Sequence, residues 1–86
     1  MRKKAIVTGA SRGIGRGIIR ELAEAGYDIA FSYRTREDEA KEAAEEIRNM
    51  GSFAWYAKAD MAQAGEGENF FDQAVKELGG LDLLVN

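Results

Sequence analysis

A short apolar run rich in β-branched residues, Ala5-Ile6-Val7, breaks at Thr8-Gly9-Ala10-Ser11-Arg12-Gly13-Ile14-Gly15. A helical spacing of Ile14, Ile18, Ile19, Leu22 and Ala23 then takes over. A strand that feeds a glycine turn, which itself opens a helix, is how a doubly wound α/β domain builds a phosphate site. The first turn of a helix leaves backbone N–H groups without partners, and the aligned peptide dipoles place partial positive charge there. Glycine at three of these positions lets the chain turn tightly and lets a pyrophosphate approach backbone with no Cβ in the way.

The remainder of the chain repeats this alternation. The first strand is expected over residues 4–8, its unbroken apolar centre fitting burial on both faces. The first helix is expected over 13–25, with Gly26 as a left-handed cap. Gly17 lies inside that helix at a cost of about 1 kcal/mol relative to alanine, for which close packing on the sheet would account. A second strand covers 28–33. Thr35 followed by Asp38 reads as a capping box that opens a second helix. Ala40, Ala43, Ala44, Ile47 and Met50 form its apolar stripe, Glu37 and Lys41 a supporting pair, and the other glutamates a solvated face ending at Gly51.

A third strand, 53–59, alternates Phe53, Trp55 and Ala57 against Ala54, Tyr56 and Lys58, which suits a half-exposed edge. Its aromatics read as packing. After Asp60-Met61 and a Gly/Glu-rich loop, Phe70, Phe71, Ala74, Val75 and Leu78 mark a third helix that stops at Gly79-Gly80. The last run, 81–86, is a fourth strand. The order β-α-β-α-β-α-β implies parallel strands joined by right-handed helical crossovers, an open three-layer α/β sheet.

Composition removes several chemistries. The chain of 86 residues has no cysteine and no histidine, so thiolate metal sites, disulfides, zinc ligation by histidine and His-based acid–base catalysis have no residues to use. A net charge of −3 without a basic block argues against nucleic acid and anionic membrane as partners. Met1-Arg2-Lys3-Lys4 is basic, but the apolar stretch behind it is too short for a signal peptide, and no run approaches a membrane span. A cytoplasmic location is expected. No metal site is expected.

The glycine turn departs from G-x-G-x-x-G, because Ile18 stands where the third glycine belongs, and it departs from the P-loop, having no Gly-Lys pair. What it carries is T-G-x-x-x-G-x-G directly after the first strand. In this the chain resembles the short-chain dehydrogenase/reductase family, across all 86 residues. Thr8-Gly9-Ala10-Ser11-Arg12-Gly13-Ile14-Gly15 with Tyr33-Arg34 and Ala59-Asp60 is most similar to the bacterial β-ketoacyl-acyl-carrier-protein reductases. The resemblance implies a Rossmann-like sheet in the order 3-2-1-4 and a nicotinamide dinucleotide held by Thr8, Gly9, Ser11, Arg12, Gly13, Ile14 and Gly15. Asp60 and Met61 match the family's adenine contact, for which an Asx turn at Asp60 is the plain alternative. Asn86 matches the first residue of the family's Asn-Asn-Ala-Gly segment.

The end of the second strand selects the cofactor. An acid there holds the ribose of NAD, whereas arginine accommodates the 2′-phosphate of NADP. The sequence reads Tyr33-Arg34, with no acid at the strand end, and Glu37 and Asp38 are accounted for by helix capping. Arg34 and Arg12, without a competing carboxylate, favour NADP over NAD.

The family's catalytic serine and Tyr-x-x-x-Lys pair has no match: Phe31, Glu37 and Asp60 stand four residues after Tyr27, Tyr33 and Tyr56. No catalytic residue is therefore assigned. The expectation is the N-terminal, cofactor-binding part of a ketone or 3-oxoacyl reductase, residues 1–86, cut inside or just after its fourth strand. Alone it should be inactive, and it should self-associate or pair with the missing half. A non-catalytic dinucleotide-binding or sensor module is the alternative. A phosphoacceptor receiver domain, suggested by Asp60, is excluded because Val7-Thr8-Gly9 supplies no acidic pair.

Overall fold

The computed structural model describes residues 2–86; of the basic opening segment, Met1 lies outside them. Seven elements alternate: β1 (Lys3–Val7), α1 (Gly13–Glu24), β2 (Tyr27–Tyr33), α2 (Glu37–Asn49), β3 (Ala54–Lys58), α3 (Glu66–Leu78) and β4 (Leu83–Val85). The strands form one parallel sheet in the order β3-β2-β1-β4, as the sequence led us to expect.

Side-chain alternation along the strands sorts the core into two layers. Val7, Ile29 and Phe31 face α1 and α2, where Ile19, Ala23, Ala40, Ala43, Ala44 and Ile47 close over them. Ile6 and Ala30 face the other way, onto Phe70, Ala74 and Leu78 of α3. The small alanines of α2 let that helix lie close to the sheet. Met50 leaves the expected stripe and is exposed, because α2 ends before it at Asn49. Ile14 also leaves its stripe, standing 85% exposed at the first turn of α1.

β3 is an edge strand, yet its exposure does not alternate as expected. Both faces are covered: Trp55 stacks on Phe70 at 5.9 Å, and Tyr56 stacks on Phe31 at 5.5 Å. Lys58 is its exposed member. The aromatics are packing groups, as the sequence indicated.

Two polar clips fix the sheet at the N-terminal ends of its strands. Asp28 accepts hydrogen bonds from Arg2 Nε at 2.6 Å and from the Phe53 N–H at 3.0 Å, while Arg2 also donates to Ser52 Oγ at 2.9 Å. On the other side of β1, the Lys4 N–H donates to Asp82 Oδ2 and the Asp82 N–H donates to the Lys4 carbonyl, both at 2.8 Å. Lys4 Nζ reaches the Leu78 carbonyl. Asp82 thus ties β1 to the chain entering β4.

Burial works against the Asp28 carboxylate, but the Phe53 N–H and the Arg2 guanidinium outweigh it and hold its pKa below the ordinary 3.8. With the folded pKa below the unfolded one, this contribution is complete above the unfolded value and is lost as pH falls through the folded value. Asp28→Asn should therefore cost about 1–2 kcal/mol near neutral pH, and the gap from the parent should close as the pH is taken below 4. Chemical denaturation at a series of pH values measures this.

Candidate functional site

The sequence-assigned residues meet at one edge of the sheet, the carboxyl ends of the parallel strands. This is where an open α/β sheet binds its ligand, beside the point at which the strand order reverses. Here the reversal lies between β1, which pairs with β2 on one side, and β4 on the other.

The turn after β1 is fixed from three directions. The Thr8 N–H donates to the Val85 carbonyl, the Gly9 N–H to Ser32 Oγ, and the Ala10 N–H to the Ser32 carbonyl, each at 3.0 Å. Gly9 and Gly13 have φ of 66° and 64°, in the left-handed region that a side chain disfavours. Gly15 has a different duty. A Cβ there would lie 2.4 Å from the Gly9 carbonyl oxygen, so its missing side chain lets α1 pack against the turn. Gly17, for which the sequence suggested close packing, has nothing within 4 Å of its Cβ position.

Two clefts open above this turn and share Gly9 and Arg34. The first, about 310 Å³, is lined by Thr8, Gly9, Ser32, Tyr33, Arg34 and the segment Ala59 to Ala62. The second, about 450 Å³, is lined by Gly9, Ser11, Arg12, Arg34, Thr35 and Arg36. Thr8, Gly9, Ser11, Arg12, Tyr33, Arg34, Asp60 and Met61 are thereby brought together. Gly13, Ile14 and Gly15 form the adjoining start of α1, and Asn86 stands exposed beyond β4 at the same edge. None of these last four lines either cleft.

Individual side chains qualify the sequence reading. Tyr33 borders the first cleft, but its ring is buried 6.0 Å from Tyr56 and its hydroxyl donates to Glu37 at 3.4 Å. Burial first, and the Glu37 carboxylate second, push the Tyr33 hydroxyl above its ordinary pKa, away from acid–base use near neutrality. Asp60 does form the Asx turn: its Oδ1 accepts the Ala62 N–H at 2.9 Å, and its Oδ2 lies 3.9 Å from Arg34 Nε. Glu66, on the first turn of α3, accepts the Asp60 N–H at 2.8 Å and so fixes the same loop.

The start of α2 differs from the expected capping box. Its N-cap is Arg36, with no side-chain cap, and Asp38 instead faces Arg36 at 3.5 Å. That guanidinium holds the Asp38 carboxyl below its ordinary pKa. Nor are the glutamates of α2 simply solvated. Arg12 faces Glu39, Arg16 faces Glu42 and Glu46, and Arg20 bonds Glu46 at 2.9 Å, a ladder joining α1 to α2. The arginines therefore do have carboxylates beside them, contrary to the sequence reading: Glu39 at Arg12 and Arg36, and Asp60 at Arg34.

Sequence reasoning missed Ser32 and Arg36. Ser32 is a polar residue inside the apolar run of β2, but its partner in the distant glycine turn is not visible in sequence, and Arg36 was hidden by the capping assignment. Among the described residues, no group of three or more acids could hold a metal ion, and no helix is long and apolar enough to cross a membrane.

Comparison with known proteins agrees with this geometry. The short chain dehydrogenase family model matches residues 3–86. The whole chain is 42% identical to 35% of the 3-oxoacyl-[acyl-carrier-protein] reductase FabG of Staphylococcus epidermidis, and 43% identical to the same share of the Staphylococcus aureus protein. Among solved structures, a short-chain dehydrogenase/reductase from Serratia marcescens superposes with a TM-score of 0.94 at 40% identity, over 98% of this chain and 34% of that one. A short chain dehydrogenase from Burkholderia cenocepacia in complex with NADP gives 0.95 at 39% identity, with the same coverages. The chain belongs to the short-chain dehydrogenase family, a family of oxidoreductases that bind nicotinamide dinucleotides. It spans about a third of the length of the relatives it matches.

The glycines give a paired test. Gly15→Ala should force the turn and α1 apart and destabilise the fold by about 1–3 kcal/mol, whereas Gly17→Ala should stabilise it by up to about 1 kcal/mol. Thermal unfolding of the two variants checks the opposite signs.

Proposed function

We propose that this chain is the NADP-binding portion, residues 1–86, of a short-chain oxidoreductase that reduces a ketone or 3-oxoacyl substrate with hydride from NADPH. The observation that carries the cofactor choice is the convergence of Arg12, Arg34 and Arg36 on one cleft beside the glycine turn. NADP differs from NAD by one phosphate on the adenine-side ribose, and guanidinium groups bind phosphate through charge-assisted, often bidentate hydrogen bonds. Both Arg12 and Arg34 are well exposed, so their donors are open to a ligand.

In this reading Thr8, Gly9, Ser11, Gly13, Ile14 and Gly15 surround the pyrophosphate and the nearer ribose, since the start of α1 offers unpaired N–H groups and positive dipole. Tyr33 with Arg34 borders the adenine-side ribose, Asp60 and Met61 the adenine, and Asn86 the far end. The cofactor supplies the hydride; these residues bind and orient it. The groups that protonate the substrate belong to sequence outside these residues, because none of the three tyrosines has a lysine four positions on. The chain alone is then inactive. The 3-oxoacyl-[acyl-carrier-protein] reductase relatives support a role in fatty acid biosynthesis, and the net charge of −3 supports a reading without nucleic acid or anionic membrane as partner.

Replacing Arg12 and Arg34 together by alanine should weaken NADP binding and leave NAD nearly unchanged. Each arginine should count for about 10- to 150-fold, the worth of a hydrogen bond to a charged group. Calorimetric titration with both cofactors measures this, and equal losses for the two would overturn the assignment.

The partner expectation rests on β4. It is an edge strand here, Leu84 is 46% exposed, and an open apolar edge templates pairing with another chain. Association with a second copy or with the remainder of a reductase should follow. Sedimentation at several concentrations tests it, and a folded monomer at high micromolar concentration counts against it.

A further inference from the structure

Arg12 at the N-cap of α1, and Arg16 and Arg20 within the helix, stand four residues apart and face Glu39, Glu42 and Glu46 of α2. The rung farthest from the cleft is a formed hydrogen-bonded pair: Arg20 donates from Nε and Nη2 to the two oxygens of Glu46 at 3.0 and 3.2 Å. The rung at the cleft is not. Arg12 Nη1 lies 3.8 Å from Glu39 Oε2, and Arg36 Nη2 lies 3.7 Å from Glu39 Oε1. Bonded guanidinium–carboxylate pairs sit about 1 Å closer. Glu39 Oε2 is buried and accepts no hydrogen bond among the described residues.

Glu39 is therefore a carboxylate held between two arginines that line the cleft, attracting both and bonded to neither. Its position on the first turn of α2, with its side chain only 25% exposed, limits its retreat into water. Any anion received by Arg12 and Arg36 must share them with this charge. Like charges at such separations in a partly solvated site oppose each other by an amount worth several-fold in affinity.

We propose that Glu39 is a specificity-setting counter-ion. It holds Arg12 and Arg36 toward the cleft when no ligand is bound, and it limits the preference for a 2′-phosphate over a 2′-hydroxyl. This inference rests on the cleft being a 2′-phosphate site.

The probes are adenosine 2′,5′-bisphosphate and adenosine 5′-monophosphate, which differ by that phosphate, titrated calorimetrically against the parent chain and Glu39→Gln. The variant keeps the size of the side chain and removes its charge. The preference for the bisphosphate should rise about three- to tenfold in Glu39→Gln, with affinity for the monophosphate changed less than twofold. Glu42→Gln makes the same charge change on the next rung, where the carboxylate is exposed and faces Arg16, which does not line the cleft, and should leave the preference within twofold of the parent. Should Glu39→Gln fail to fold, Glu39→Ser, suited to a first helical turn, must raise the preference likewise.

A parent that prefers the bisphosphate together with a Glu39→Gln preference that is unchanged or reduced overturns the role of Glu39 while leaving the NADP reading intact. A parent with no preference for the bisphosphate overturns both.

Discussion

The candidate site depends on how closely α1 approaches the turn before it. A single added carbon at Gly15 would meet the Gly9 carbonyl oxygen at 2.4 Å, a distance real Cβ atoms do not occupy. With that carbon absent, the helix begins directly against the loop. The orientation of the loop is then set from below by Ser32, whose hydroxyl and carbonyl accept the N–H groups of Gly9 and Ala10. Buried N–H groups require partners, and satisfying two of them from β2 couples the loop to the neighbouring strand. The N–H groups at the start of α1 have no carbonyl of an earlier helical turn to bond.

Because all four strands are parallel, every strand-to-helix junction falls at one edge of the sheet. The junction after β1 supplies the turn with Arg12, the one after β2 supplies Arg34 and Arg36, and the one after β3 supplies the Asp60 loop. Three stretches distant in sequence thus form one continuous surface through topology alone. The ladder between α1 and α2 ends at this surface, so the charges that align the helices also set the potential in the cleft. Exposed ion pairs contribute little to stability individually. At the cleft end of the ladder, Arg12 and Glu39 contribute their charges to the local potential.

Much of this was legible in the sequence. The alternation of strand and helix periods, the glycine turn and the two arginines at Arg12 and Arg34 read directly, because burial imposes periodicity and a phosphate needs donors near a helix start. The parts that did not read depend on contacts between elements. Thr35 and Asp38 have the spacing of a capping box, but the chain enters α2 one residue later and Asp38 turns to Arg36. Glu39, Glu42 and Glu46 look like an ordinary solvated helix face until α1 is laid beside them. Gly15 and Gly17 are equivalent as letters, and only the proximity of the Gly9 carbonyl separates a required glycine from an unoccupied one. Ser32 is a polar residue inside an apolar strand, and its value comes from a loop more than twenty positions earlier.

The tie between Lys4 and Asp82 has a consequence for the order of assembly. β1 precedes the other three strands of the sheet and lies inside it, but the residue that clips its second side comes 78 positions after Lys4. One flank of β1 is completed early, when β2 folds back across α1. The other stays uncovered until the chain has been made through β4, its partner strand on that side. Closing so long a loop is entropically costly and slow compared with the neighbouring βαβ steps. During synthesis β1 therefore stays half-paired until β4 emerges and pairs with it.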